Sequence, residues 1–115
     1  EELSGTFLPR LDEGLEPFVV IVNATPVGLK IEDPLPCPES YVREGQVVID
    51  APYHPAGTRL ARLARERGAR VFDGYALLAE QAARQAELFT HRSTTPAQLV
   101  RNLPTHLRDL FEEAS

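Results

Sequence analysis

Three stretches of this sequence carry residue types and spacings that could do chemistry. The first is Asn23-Ala24-Thr25-Pro26-Val27-Gly28, which follows the apolar run Phe18–Val22. A turn of small residues at a strand's end lets backbone groups come close to a planar ligand, and Gly28 removes a side chain that would block the approach. The second is Asp50-x-x-Tyr53-x-Pro55, after the run Val47–Asp50. A phenol at that point can donate a hydrogen bond to a carboxylate or hydroxyl in a cleft. The third is Asp73-Gly74 with Gln81 one helical stretch later. The Gln81 amide offers two donors and an acceptor, suited to a substrate hydroxyl. Each has a plainer alternative: an ordinary turn, a tyrosine packed on a neighbour, a solvated amide. Asp50 is better suited to ordering its turn than to proton transfer.

Other chemistries lack their residues. His54, His91 and His106 show no metal-ligand spacing, so no metal site is expected. The serines lack a nucleophile elbow, and neither a GxGxxG loop nor a P-loop occurs. Lys30 is the only lysine and reads as a surface residue. The single cysteine, Cys37, excludes an internal disulfide and suits a reducing, cytoplasmic setting. Net charge is −5 with no basic stripe, which argues against a nucleic-acid surface. No apolar run reaches the roughly 20 residues of a membrane helix.

The elements that must position these groups follow from periodicity. The 115 residues suit one small domain. Phe18–Val22 is rich in β-branched residues with no polar alternation, so it reads as a strand covered on both faces. Val47–Asp50 and Ala69–Phe72 read as two more strands, and Leu29–Gln46, with Pro34, Pro36 and Pro38, as irregular. Thr58 can cap a helix that ends at Gly68, with Leu60, Leu63 and Ala64 on one face. A second helix spans Tyr75 to about His91, with Leu78, Ala82, Ala86 and Phe89 as its apolar stripe. Thr95, Pro96 and Gln98 form a capping-box start; Pro104 interrupts, and Thr105 caps a last helix. Upstream, Thr6–Leu11 is a weak strand candidate, and Glu1–Gly5 reads as the last turn of a helix. Strands alternating with helices predict α/β architecture: a partial Rossmann-type parallel sheet with flanking and C-terminal helices.

Taken together, Asn23–Gly28, Asp50–Pro55 with Thr58, Gly68, and Asp73-Gly74 with Leu78, Gln81 and Ala82 resemble the C-terminal part of the shikimate dehydrogenase family. The segment Ala86–Thr90 adds to the likeness. The resemblance implies an oxidoreductase interconverting 3-dehydroshikimate and shikimate with NADP, or NAD and quinate in some members. It implies that Tyr53 and Gln81 contact substrate. Asn23, Ala24 and Thr25 would line the cofactor cleft, and the backbone at Ala51 and Gly74 would flank the nicotinamide. Residues 1–92 would be the second half of the dinucleotide-binding domain and 93–115 the C-terminal helices. The family's lysine and its aspartate partner, and its phosphate loop, lie in parts that would precede Glu1. The chain is therefore expected to hold no catalytic residue and to be inactive by itself. It would be completed by the rest of a parent chain or by a second copy. Two positions depart from the family's pattern: Val19, where an acidic residue is usual, and Ala51, where a larger apolar one is common. A non-catalytic interaction module on the same scaffold is the alternative.

Overall fold

The structure is a computed structural model that describes residues 18–113; the expectations for Glu1–Gly5 and Thr6–Leu11 fall outside them. Three short strands form one parallel sheet: β1 (Val20–Asn23), β2 (Val47–Asp50) and β3 (Arg70–Phe72), in the order β1-β2-β3. Asn23 pairs with Asp50, so the two strands end level with each other. The β1–β2 connection is irregular apart from a short 3-10 turn at Glu39–Tyr41. Arg67 clamps it: its guanidinium donates to the Val42 carbonyl at 3.0 Å and pairs with the Glu39 carboxylate at 2.5 Å.

Helix α1 (Arg59–Glu66) joins β2 to β3 and starts where expected. The Thr58 hydroxyl accepts from the Ala61 N–H at 3.0 Å, satisfying one of the donors that a helix start leaves open. Gly68 adopts φ +78° just past the helix end, a conformation that favours glycine. Leu60 and Ala64 are buried against Val48 and Val42, with Ile21, Leu35, Leu63 and Val71 packed around them. This core lies on one face of the sheet.

The opposite face differs from expectation. Phe18–Val22 reads as a strand covered on both sides, yet Val20 is 48% and Val22 59% exposed. Among the described residues β1 is an edge strand, and α1 with the irregular connection covers only the face that holds Ile21.

Helix α2 (Gly74–Thr90) is capped by Asp73, whose carboxylate accepts from the Ala76 N–H at 3.1 Å and pairs with Arg65 at 2.7 Å. Its buried stripe is Tyr75, Ala79 and Ala83, with Ala82 and Ala86 half-buried; Leu78 and Phe89 are exposed. Apolarity pointed to the larger side chains. The buried side is lined mainly by alanines, and α3 (Pro96–Arg101) packs against α2. The capping box of Thr95 and Gln98 forms as expected. In α4 (Thr105–Glu113), Thr105 is the first helical residue, and the Pro104 carbonyl accepts from the Leu107 N–H at 2.9 Å.

Candidate functional site at the carboxyl edge of the sheet

The ends of β1, β2 and β3 bring three loops to one edge. The loop after β1 is organised from inside by Asn23, which is buried. Its amide donates to the Val27 carbonyl at 2.9 Å and to Asp50 at 2.7 Å. Its amide oxygen accepts from the Thr25 hydroxyl at 2.7 Å and the Thr25 N–H at 3.2 Å. With the side chain fully engaged within the protein, Asn23 acts on the cleft through the shape of its loop. Ala24 and Thr25 stay exposed on the outer side. Gly28 sits at φ +112°, and a Cβ there would lie 3.4 Å from Thr58. That distance is ordinary van der Waals contact, so the positive φ of the turn is what calls for glycine here. Asp33 accepts from the N–H groups of Gly28 and Lys30, and the Lys30 bond followed by the Gly28 bond lowers its pKa.

Asp50 is 0% exposed. One carboxylate oxygen takes the Asn23 amide and the other takes the Thr58 hydroxyl. Burial pushes its pKa up, against the pull of those two hydrogen bonds. The same burial effect, with the Asp50 charge second, raises the Cys37 thiol.

The loop after β2 and the start of α2 meet in direct backbone contact. A Cβ on Gly74 would stand 2.5 Å from the Ala51 carbonyl oxygen, 2.8 Å from that of Pro52 and 2.8 Å from the Tyr53 Cβ. No other residue fits without displacing backbone. Tyr53 is half exposed, its ring 5.3 Å from that of buried Tyr75, which meets Phe111 of α4 at 5.4 Å. Tyr75 has its pKa raised by burial first, then by Tyr53 and Asp73.

The edge therefore gathers Asn23, Ala24, Thr25, Ala51, Tyr53 and Gly74. Gln81 stands seven positions after Gly74 on α2, about 10 Å along the same helix face, and is exposed. The sequence singled out Thr58 as a helix cap but not as a partner of Asp50, and it did not single out Tyr75. The Thr58 role had a faint signal in its closeness to Asp50. The Asn23–Asp50 bond, 27 residues apart, had none. Among the described residues no His/Cys/Asp/Glu group could hold a metal ion.

An open parallel sheet with its loops converging at the strands' carboxyl ends defines a Rossmann-type α/β protein. The chain is 36% identical over 86 residues to the NADP(+) shikimate dehydrogenase of Methanocella arvoryzae, covering 75% of this chain and 32% of that enzyme. It is 40% identical over 84 residues to that of Dehalococcoides mccartyi, covering 72% and 29%. The crystal structure of shikimate dehydrogenase from Aquifex aeolicus superposes with a TM-score of 0.63 at 32% identity, covering 72% of this chain and 30% of that one. No family model matches the chain. The chain belongs to the shikimate dehydrogenase family. It spans about a third of the length of the curated relatives it matches.

Proposed function

We propose that this chain forms the nicotinamide-side wall, and part of the substrate-side wall, of an NADP-linked shikimate dehydrogenase in aromatic amino-acid biosynthesis, acting in the cytoplasm. NAD in place of NADP, and quinate in place of shikimate, are the narrower alternatives. Residues 1–92 would be the second half of the dinucleotide-binding domain, and 93–115 the helices that close on it. The observation that carries the reading is the convergence of the Asn23–Gly28 loop, Ala51–Tyr53 and Gly74 on one edge, in a chain similar over 75% of its length to a shikimate dehydrogenase. The close Gly74–Ala51 approach packs the start of α2 directly on the Ala51–Tyr53 backbone, which fixes where both segments stand at the edge.

When bound, the dinucleotide supplies or accepts the hydride at the substrate carbon. The residues here bind and orient. The Tyr53 hydroxyl donates to a substrate oxygen from a ring steadied by Tyr75. The Gln81 amide takes a substrate hydroxyl, replacing water on an otherwise exposed face of α2. Proton transfer and phosphate binding fall to the rest of the longer protein. That remainder, or a second copy, would also cover β1.

The test is steady-state and binding analysis of the complete protein. Tyr53→Phe and Gln81→Ala should each lower kcat/KM for shikimate by about threefold to tenfold, the equivalent of one lost hydrogen bond. The NADP dissociation constant should stay within about twofold of wild type, since neither side chain is assigned to the cofactor. Unchanged kcat/KM in both variants would reject the site.

A further inference from the structure

We infer that Asp50 is a positioning residue for dinucleotide binding: its buried carboxylate locks the Asn23–Gly28 loop to the start of α1. The inference rests on the dehydrogenase reading above. Asp50 lies on the same face of β2 as Val48, the face that packs against α1. An apolar side chain there would extend the core, whereas a buried carboxylate is costly unless its oxygens are bonded. What Asp50 provides is a bridge. One oxygen receives the Asn23 amide and the other the Thr58 hydroxyl, which itself caps α1.

The bridge acts through Asn23. Held by Asp50, the Asn23 amide group presents its oxygen to both donors of Thr25 and its nitrogen to the Val27 carbonyl. The exposed backbone at Ala24 and Thr25 thus takes its shape from a carboxylate that a ligand in the cleft would not touch. Gly28, at the far end of the loop, lies beside Thr58. Neither β-pairing nor the α1 cap by itself specifies that loop shape.

The experiment uses the complete protein. Asp50→Asn keeps an acceptor for Asn23 but sets an NH₂ group toward Thr58, leaving the Thr58 hydroxyl hydrogen without its acceptor. Thr58→Val removes the hydroxyl, and Thr58→Ser retains it. Titration calorimetry measures NADP+ affinity, amide exchange follows Thr25, Val27 and Gly28, and initial rates give KM and kcat. Expected for Asp50→Asn and Thr58→Val are about tenfold weaker NADP+ binding and faster exchange in the loop, with kcat and shikimate KM within about twofold. Thr58→Ser should match wild type. Folded variants with wild-type NADP+ affinity would overturn the inference, as would equal losses in NADP+ affinity, shikimate KM and kcat. If neither variant folds, the carboxylate serves folding alone and the positioning role is rejected. Wild-type protein that binds no NADP+ or NAD+ would instead defeat the dehydrogenase reading itself.

Discussion

Val48 and Val22 stand in neighbouring strands of one sheet, yet Val48 is 0% exposed and Val22 is 59% exposed. Around Val48, α1 and the irregular connection close a packed layer with Leu60, Ala64 and Val42. On the other face Val20, Val22 and Phe72 are open, and Ile49 and Phe72 border a groove of about 460 Å³ with Ala76, Leu77 and Pro96. The residues are equally apolar; only the neighbours differ. A β-branched strand records that it is meant to be covered on both sides, but cannot say which part of a protein does the covering.

The largest expected effect tests the packed face. Leu60→Ala removes a buried side chain from a layer that cannot collapse freely, and should cost about 2–5 kcal/mol in chemical denaturation. Val22→Ala should change the stability of the 115-residue chain by about 0.5 kcal/mol or less. The same Val22→Ala change in the longer protein should cost clearly more, if a further element covers β1. Equal small costs in both settings would break the comparison in favour of a free face.

Next comes the loop edge. Gly74→Ala forces a Cβ into backbone carbonyls and should destabilise by about 1–3 kcal/mol, while Ala76→Gly, two residues further in the same turn, acts through helix propensity, about 1 kcal/mol or less. Thr58→Ala removes a cap worth about 0.5–2 kcal/mol and also the donor to buried Asp50, so the shift in denaturation midpoint should exceed the cap's share.

The smallest effects appear with pH. Asp50 has a raised pKa in the folded protein, so its contribution to stability is fully present below the ordinary carboxylate value and is lost as pH rises through the raised one. Asp50→Asn should remove that decline from a stability–pH profile. Asp33 has a lowered pKa and behaves oppositely: its contribution is present above the ordinary value and fades as pH falls through the lowered one. Asp33→Asn should flatten the acid side of the profile slightly, since the group is still reached by solvent.

The sequence by itself determined the local features. The spans of β2 and α1, the Thr58 cap, the capping box at Thr95 and the stop at Gly68 follow from turn and capping chemistry within a few residues. The α/β order and the family resemblance were legible for the same reason: motif residues sit next to the elements they terminate. Which side chains of α2 are buried was decided by packing. Ala79 and Ala83 are buried while Leu78 and Phe89 are exposed, and hydrophobicity alone ranks them the other way. The joining of Asn23 to Asp50, and of Gly74 to Ala51, was also a tertiary matter. These pairs are distant in sequence and adjacent only because parallel strands end level, and no local pattern encodes which strand ends will meet.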